Sequence, residues 1–213
     1  MMENNELKTG TTTVGLVCKD GLVLAADKRA TSGYLISYKK FDKIMPITSN
    51  MAVTVAGTVS DVQLLVKYLR AELKLKDLRT NRETSIKEAS SLLANFVYNN
   101  IRKYSLIPGI SHFIMGGFDS KGFHLYDISP DGSIVEVDDY ISSGSGSVMA
   151  FGVLETLYKK GLTIDEGIKL AAKCINAAVQ RDIASGNGID IVTITKDGFK
   201  KVFTKELDYR IEV

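Results

Sequence analysis

The order of hydrophobic periods along the chain predicts an α+β fold in which antiparallel sheets carry helices on their outer faces. Three features of the sequence lead there. Short runs rich in β-branched and aromatic residues are broken by turn chemistry at Asp20-Gly21, Pro130-Asp131-Gly132 and Asp197-Gly198, the mark of hairpins. Two stretches of helical spacing follow the first block of strands, and two more follow the second. The resulting order of strands, two helices, strands, two helices and strands argues against alternating βαβ units and a parallel sheet. With 213 residues and no linker or repeat between the blocks, a single domain is expected.

Residues 1–10 are polar and without a period, and strand chemistry begins in the threonines that follow. Residues 12–18 and 22–28 are predicted to form the first hairpin, and residues 34–38, 41–47 and 51–57 three further short strands. The period then changes. Val62, Leu65, Val66, Leu69 and Leu73 recur at helical spacing, with Ser60 or Asp61 available as the cap. A second helix opens at Thr84 or Ser85, because Ser85 and Glu88 have capping-box spacing; it carries Ile86, Leu92, Leu93, Phe96, Val97 and Ile101 and ends before Pro108. Residues 112–118, 122–128 and 134–137 read as successive hairpin strands. Helices over 148–159 and 164–182 follow, the latter opened by Thr163 and Glu166, and a hairpin of residues 190–195 and 199–203 closes the fold.

Composition removes several classes of function. At 45% apolar and 24% charged residues, the chain can offset its ordering entropy, so wholesale disorder is excluded. Twenty-seven Lys and Arg against 25 Asp and Glu leave a net charge of +2, which gives no general attraction for nucleic acid or acidic membranes. Met1-Met2-Glu3-Asn4-Asn5-Glu6 is neither cationic nor apolar and is not expected to act as a secretory signal. The most apolar windows, 22–26 and 51–57, are far shorter than the roughly 20 residues a bilayer span needs. Cys18 and Cys174 lack metal-like spacing and read as two reduced thiols, from which a cytoplasmic location is expected.

The catalytic inventory is short. Only His112 and His124 offer an imidazole, each in a hairpin-like strand where a surface or satisfied interior role is expected; no Gly-x-Ser-x-Gly elbow, phosphate-cradling loop or zinc-like cluster occurs. Neither a metal nor a cofactor is expected. Two charges do break the strand pattern. Alternation puts Lys43 on one face with Phe41 and Met45, and Asp27 on one face with Val23 and Ala25. An ammonium among apolar neighbours must find a carboxylate, so a Lys43–Asp27 ion pair beneath a site is one reading; Lys43 on the water face of an edge strand is the other. The junction Gly10-Thr11-Thr12-Thr13 lies between the polar leader and the first strand. A cut before Thr11 would give its hydroxyl a base of its own, an α-amine with a pKa of about 8, and Gly10, lacking a Cβ, leaves room for the turn that self-cleavage requires. The plain alternative is that three threonines simply begin a β-strand.

Five motifs together resemble the proteasome β-subunits, most closely the archaeal kind, within the N-terminal nucleophile hydrolases. They are Gly-Thr-Thr-Thr-Val-Gly-Leu from Gly10, Leu-Ala-Ala-Asp-Lys-Arg-Ala-Thr from Leu24, Lys-Lys-Phe-Asp-Lys-Ile from Lys39, Gly-Ser-Gly-Ser from Gly144, and Arg-Asp-Ile-Ala-Ser-Gly-Asn-Gly from Arg181. The resemblance implies a four-layer α-β-β-α sandwich, residues 1–10 as a propeptide removed on maturation, residues 11–213 as one peptidase domain, and Thr11 as the nucleophile. It further implies that Asp27 and Lys43 ease proton removal, that Ser145, Asp182 and Ser185 position the threonine, and that the Gly57 N–H stabilises the oxyanion. A specificity pocket is implied at Ala30, Phe41, Met45, Val55, Val59 and Gln63, uncharged and so suited to cleavage after large apolar residues. Edges near Thr31 and Gly57 would pair with an extended peptide. The implied partners are β-subunits in two stacked seven-membered rings, capping α-subunit rings, a regulatory ATPase acting indirectly, and unfolded polypeptide substrates. A catalytically silent ring subunit, or a small-molecule amidase of the same nucleophile class, is the rival reading.

Overall fold

The computed structural model describes residues 10–207, so that of the predicted leader only Gly10 falls within them. The first hairpin forms as its turn chemistry dictates. Strands β1 (Thr13–Cys18) and β2 (Gly21–Asp27) pair antiparallel, with Thr13 opposite Ala26 and Cys18 opposite Gly21. A small ribbon of β3 (Ala30–Ser32) and β4 (Leu35–Tyr38) follows. Then come β5 (Ile44–Pro46), β6 (Met51–Gly57) and the helices α1 (Val59–Thr80) and α2 (Ile86–Arg102). The strands β7 (Ser111–Asp119), β8 (Gly122–Ile128), β9 (Ile134–Val137) and β10 (Tyr140–Ser143) lead into α3 (Ser147–Leu157) and α4 (Ile164–Val179). The hairpin of β11 (Gly188–Thr195) and β12 (Gly198–Glu206) completes the order.

Two five-stranded antiparallel sheets result, ordered β10-β1-β2-β11-β12 and β5-β6-β7-β8-β9. Side-chain alternation makes three apolar layers of them. Leu22, Leu24 and Ala26 of β2 point inward to Ala52, Ile114 and Leu125 of the other sheet. Val23 and Ala25, one residue out of phase, join Leu170, Ala171 and Ile175 of α4. Across the molecule, Val53, Val55, Phe113 and Met115 join Leu65, Leu69 and Leu93 of α1 and α2. The four layers are therefore α3/α4, first sheet, second sheet and α1/α2, the α+β sandwich the sequence predicts. Among the described residues, no helix is long and apolar enough to cross a membrane.

Both capping boxes form as spaced, Ser85 with Glu88 and Thr163 with Glu166. The departures are local. Helix α1 starts behind Thr58, an extended residue without a side-chain cap bond, and not behind Ser60 or Asp61. Residues 41–47 contract to β5, an edge strand that ends in Pro46, where a missing N–H is tolerated. Helix α4 stops at Val179, which frees residues 181–187 to fold as a loop. Strands β3 and β10 are additional to the sequence reading, and β10 matters most: it pairs with β1, setting Ser143 opposite Thr13 and bringing the following glycine loop beside Thr11.

Candidate active site

Asp27 ends β2, and its carboxylate meets four donors. Oδ1 accepts from the Thr12 N–H at 2.9 Å and from Lys43 Nζ at 2.7 Å; Oδ2 accepts from the backbone N–H groups of Arg29 at 3.0 Å and Gly186 at 2.9 Å. Both members of the ion pair are buried, with Lys43 only 2% exposed, so the strand-parity reading describes the geometry and the water-face alternative does not. Burial pushes the Lys43 ammonium below the ordinary lysine range, while the Asp27 charge acts in the opposite sense. A carboxylate so fully bonded tolerates loss of its hydration.

Thr11 precedes β1 and is buried. Its hydroxyl donates to the Gly10 carbonyl oxygen at 2.6 Å, and its N–H donates to Ser145 Oγ at 3.2 Å. Ser145 and Ser185 each donate to Asp182 Oδ2 at 2.6 Å. Those three side chains, implied only by the resemblance, thus form one hydrogen-bonded group drawn from two loops, in which Ser145 reaches Thr11 and Ser185 reaches Thr12. The glycines around Ser145 make the approach possible. At Gly144, with φ +92°, an added Cβ would lie 2.0 Å from the Thr11 carbonyl oxygen, and at Gly146 one would lie 1.9 Å from the Thr12 hydroxyl. Gly10 is equally confined, since a Cβ there would come within 1.6 Å of Ala184 Cβ.

A narrow pocket opens on Thr11 and is lined by Gly10, Ala30, Thr31, Phe41, Lys43, Val55, Ala56, Gly57, Val59 and Val62. Apart from Lys43 its side walls carry no charge. Thr31 Oγ1 accepts the Gly10 N–H at 3.2 Å. Gly57 terminates β6 at φ +125°, a conformation closed to ordinary side chains, and a Cβ on it would meet the Ile110 carbonyl oxygen at 2.2 Å. Two predicted pocket residues fall elsewhere. Met45 packs against the α1/α2 core, and Gln63 is exposed on α1; neither lines this cavity. The sequence reading missed Ala56 and Val62, for which helical spacing from Val59 was the available signal for Val62.

The two histidines and two cysteines lie away from this pocket. His112 Nε2 lies 2.6 Å from Asp127, His124 Nδ1 lies 2.7 Å from Glu136, and neither lines the cavity. Burial pushes the thiols of Cys18 and Cys174 up to about 12, which keeps them as inert thiols. Among the described residues no cluster of His, Cys, Asp and Glu is arranged to hold a metal ion.

A family model for proteasome subunits matches residues 7–194 of the chain. The proteasome subunit beta of Methanothermobacter thermautotrophicus is 43% identical over 213 residues, covering all of this chain and 99% of that relative. That of Ferroglobus placidus is 40% identical over 99% of both chains, and the proteasome subunit beta 2 of Pyrococcus abyssi is 42% identical over 97% of both. With a two-sheet sandwich, a buried Asp27–Lys43 pair beside Thr11 and likeness along nearly its whole length, the chain belongs to the proteasome subunit family, among its β-type members.

Proposed function

We propose that the chain is a threonine endopeptidase, made with a propeptide that ends at Gly10 and activated by its own cleavage between Gly10 and Thr11. The observation that carries this reading is the Thr11 hydroxyl donating to the Gly10 carbonyl oxygen at 2.6 Å, at the mouth of a pocket that contains Lys43. In the cleavage step Thr11 Oγ loses its proton and bonds to the Gly10 carbonyl carbon. The Gly10–Thr11 C–N bond then breaks, nitrogen takes up a proton, and an ester is left on Oγ. Water hydrolyses the ester, releasing the Gly10 carboxylate and leaving Thr11 with a free amine and a free hydroxyl. The ion pair of Asp27 with Lys43 eases proton removal, and the Gly57 N–H faces the developing oxyanion beside the N-terminus of α1.

The mature site repeats this chemistry on peptides, with the Thr11 amine, of pKa about 8, available as the base. An extended substrate pairs with the backbone edges at Thr31 and Gly57, beside the Thr31 hydroxyl that accepts the Gly10 N–H. Its side chain before the scissile bond enters the pocket formed by Ala30, Phe41, Val55 and Val59, with Met45 and Gln63 left outside. A wall of this kind favours large apolar residues, because a charge would be desolvated without a partner.

Assembly belongs to the same proposal: seven-membered β rings stacked in pairs, capped by α-subunit rings, in the cytoplasm, supplied with unfolded polypeptides through a separate ATPase. Tyr34 at 96% exposure, Tyr104 at 97% and Leu106 at 96% support the presence of partners that cover them. A Thr11→Ala variant coexpressed with α-type subunits tests the reading. It is expected to assemble, to retain Gly10 by intact mass, and to hydrolyse no polypeptide; hydrolysis at the unmodified rate refutes the threonine nucleophile.

A further inference from the structure

Thr12 is fully buried, lies outside the substrate pocket, and is tied at three points. Its N–H donates to Asp27 Oδ1 at 2.9 Å, its carbonyl oxygen accepts the Asp27 N–H at 3.2 Å, and its hydroxyl lies 2.7 Å from Ser185 Oγ. The direction of that last bond follows from proton counting. A carboxylate only accepts, and Ser185 has a single hydroxyl proton, which is directed at Asp182 Oδ2 at 2.6 Å. Ser185 Oγ must therefore accept, and Thr12 must donate. By the same logic Ser145, whose proton goes to Asp182 Oδ2 at 2.6 Å, accepts the Thr11 N–H. Two donor chains so converge on one carboxylate oxygen, one starting from the Thr12 hydroxyl and the other from the Thr11 nitrogen.

We propose that Thr12 is a positioning residue, whose hydroxyl locks the loop bearing Asp182 and Ser185 to the Asp27–Lys43 side of the site and so sets where Thr11 stands. This inference rests on the threonine-peptidase reading. Its connections are specific: on the chain that carries Thr11, Thr12 bonds both halves of the site, Asp27 with Lys43 and Ser145 with Asp182 and Ser185, and so adds a side-chain link to the backbone one that the Gly186 N–H makes to Asp27 Oδ2 at 2.9 Å. The room for it is exact enough to exclude a side chain at Gly146, where a Cβ would stand 1.9 Å from the Thr12 hydroxyl oxygen. Valine at position 12 keeps the shape and the backbone bonds but leaves Ser185 Oγ without its donor.

The test compares full chains carrying Thr12→Val, Thr12→Ser and Thr11→Ala, each coexpressed with α-type subunits, and reads intact mass together with kcat and KM for an apolar peptide. In particles whose chains begin at Thr11, Thr12→Val is expected to lower kcat by about three- to tenfold, the net worth of one hydrogen bond, with KM changed by less than about twofold. Thr12→Ser is expected to restore kcat. If Thr12→Val assembles but stays uncut, self-cleavage restored by Thr12→Ser also supports the proposal. Unchanged kcat in Thr12→Val, equal impairment in Thr12→Ser, or failure of Thr12→Val to fold overturns it. Those results leave the threonine-peptidase reading intact as long as Thr11→Ala is inert; hydrolysis by Thr11→Ala sinks that reading instead.

Discussion

At the scale of single residues, the Asp27–Lys43 pair shows which polar groups a sequence can reveal. Both charges interrupt apolar patterns, and parity makes their pairing one of two readings, the other setting Lys43 toward water; the structure places them 2.7 Å apart. Ser145, Asp182 and Ser185 carry no such signal, because a serine or aspartate in a loop is ordinary chemistry until the fold closes two loops onto Thr11. Thr12 was passed over for a similar reason, being one of three threonines at the start of a strand. The pair is also unequal in its dependence on partners. Without Lys43 the Asp27 carboxylate keeps three backbone N–H donors, whereas among the described residues Lys43 Nζ has Asp27 as its hydrogen-bond acceptor. Asp27→Ala is therefore expected to destabilise the chain by about 3–5 kcal/mol at neutral pH, and Lys43→Met by less. Lys43 sits below its ordinary value of 10.5 because of burial, and removing Asp27 lowers it further. Between that lowered value and 10.5 the unfolded chain binds more protons, so stability rises with pH. The penalty of Asp27→Ala should then shrink as pH rises, and denaturant unfolding of both variants from pH 7 to 10 measures it. A penalty independent of pH would show that the Lys43 charge is not its source.

At the scale of elements, long periodic stretches, capping boxes and the edge strand β9 are legible in the sequence, and β3 and β10 are not. The leucine and valine spacing of α1 and the Ser85–Glu88 and Thr163–Glu166 boxes appear as read. Strand β3, three residues long, has too few positions for alternation to register, and β10 is defined by pairing with β1 across a separation of more than a hundred residues. Missing β10 hides the reason Gly144 and Gly146 are glycines. The N-terminus of α1 gives the element-scale prediction. Val59 is the first residue of that helix and lines the pocket half-buried; a carboxylate is well placed at a helix N-terminus. Val59→Glu is expected to shift preference from large apolar toward basic residues before the scissile bond, with the change in kcat/KM for paired apolar and lysine peptides amounting to about tenfold or more. An unaltered ratio would place the specificity pocket elsewhere.

At the scale of the whole molecule, the sandwich brings together segments that are far apart in sequence. One sheet delivers Thr11 and Asp27, the approach to the other delivers Lys43 and Gly57, and the loop between α4 and β11 delivers Asp182 and Ser185. Gly10 packs tightly against Ala184, so in the proposed chemistry the loop that bears Asp182 and Ser185 also holds the Gly10–Thr11 bond, and cleavage and peptide hydrolysis would depend on one geometry. The most direct measurement follows intact mass and polypeptide hydrolysis together in freshly assembled particles. Hydrolysis should rise in proportion to the fraction of chains that begin at Thr11, from none in the uncut state; full hydrolysis by particles whose chains all retain Gly10 would contradict the proposed chemistry.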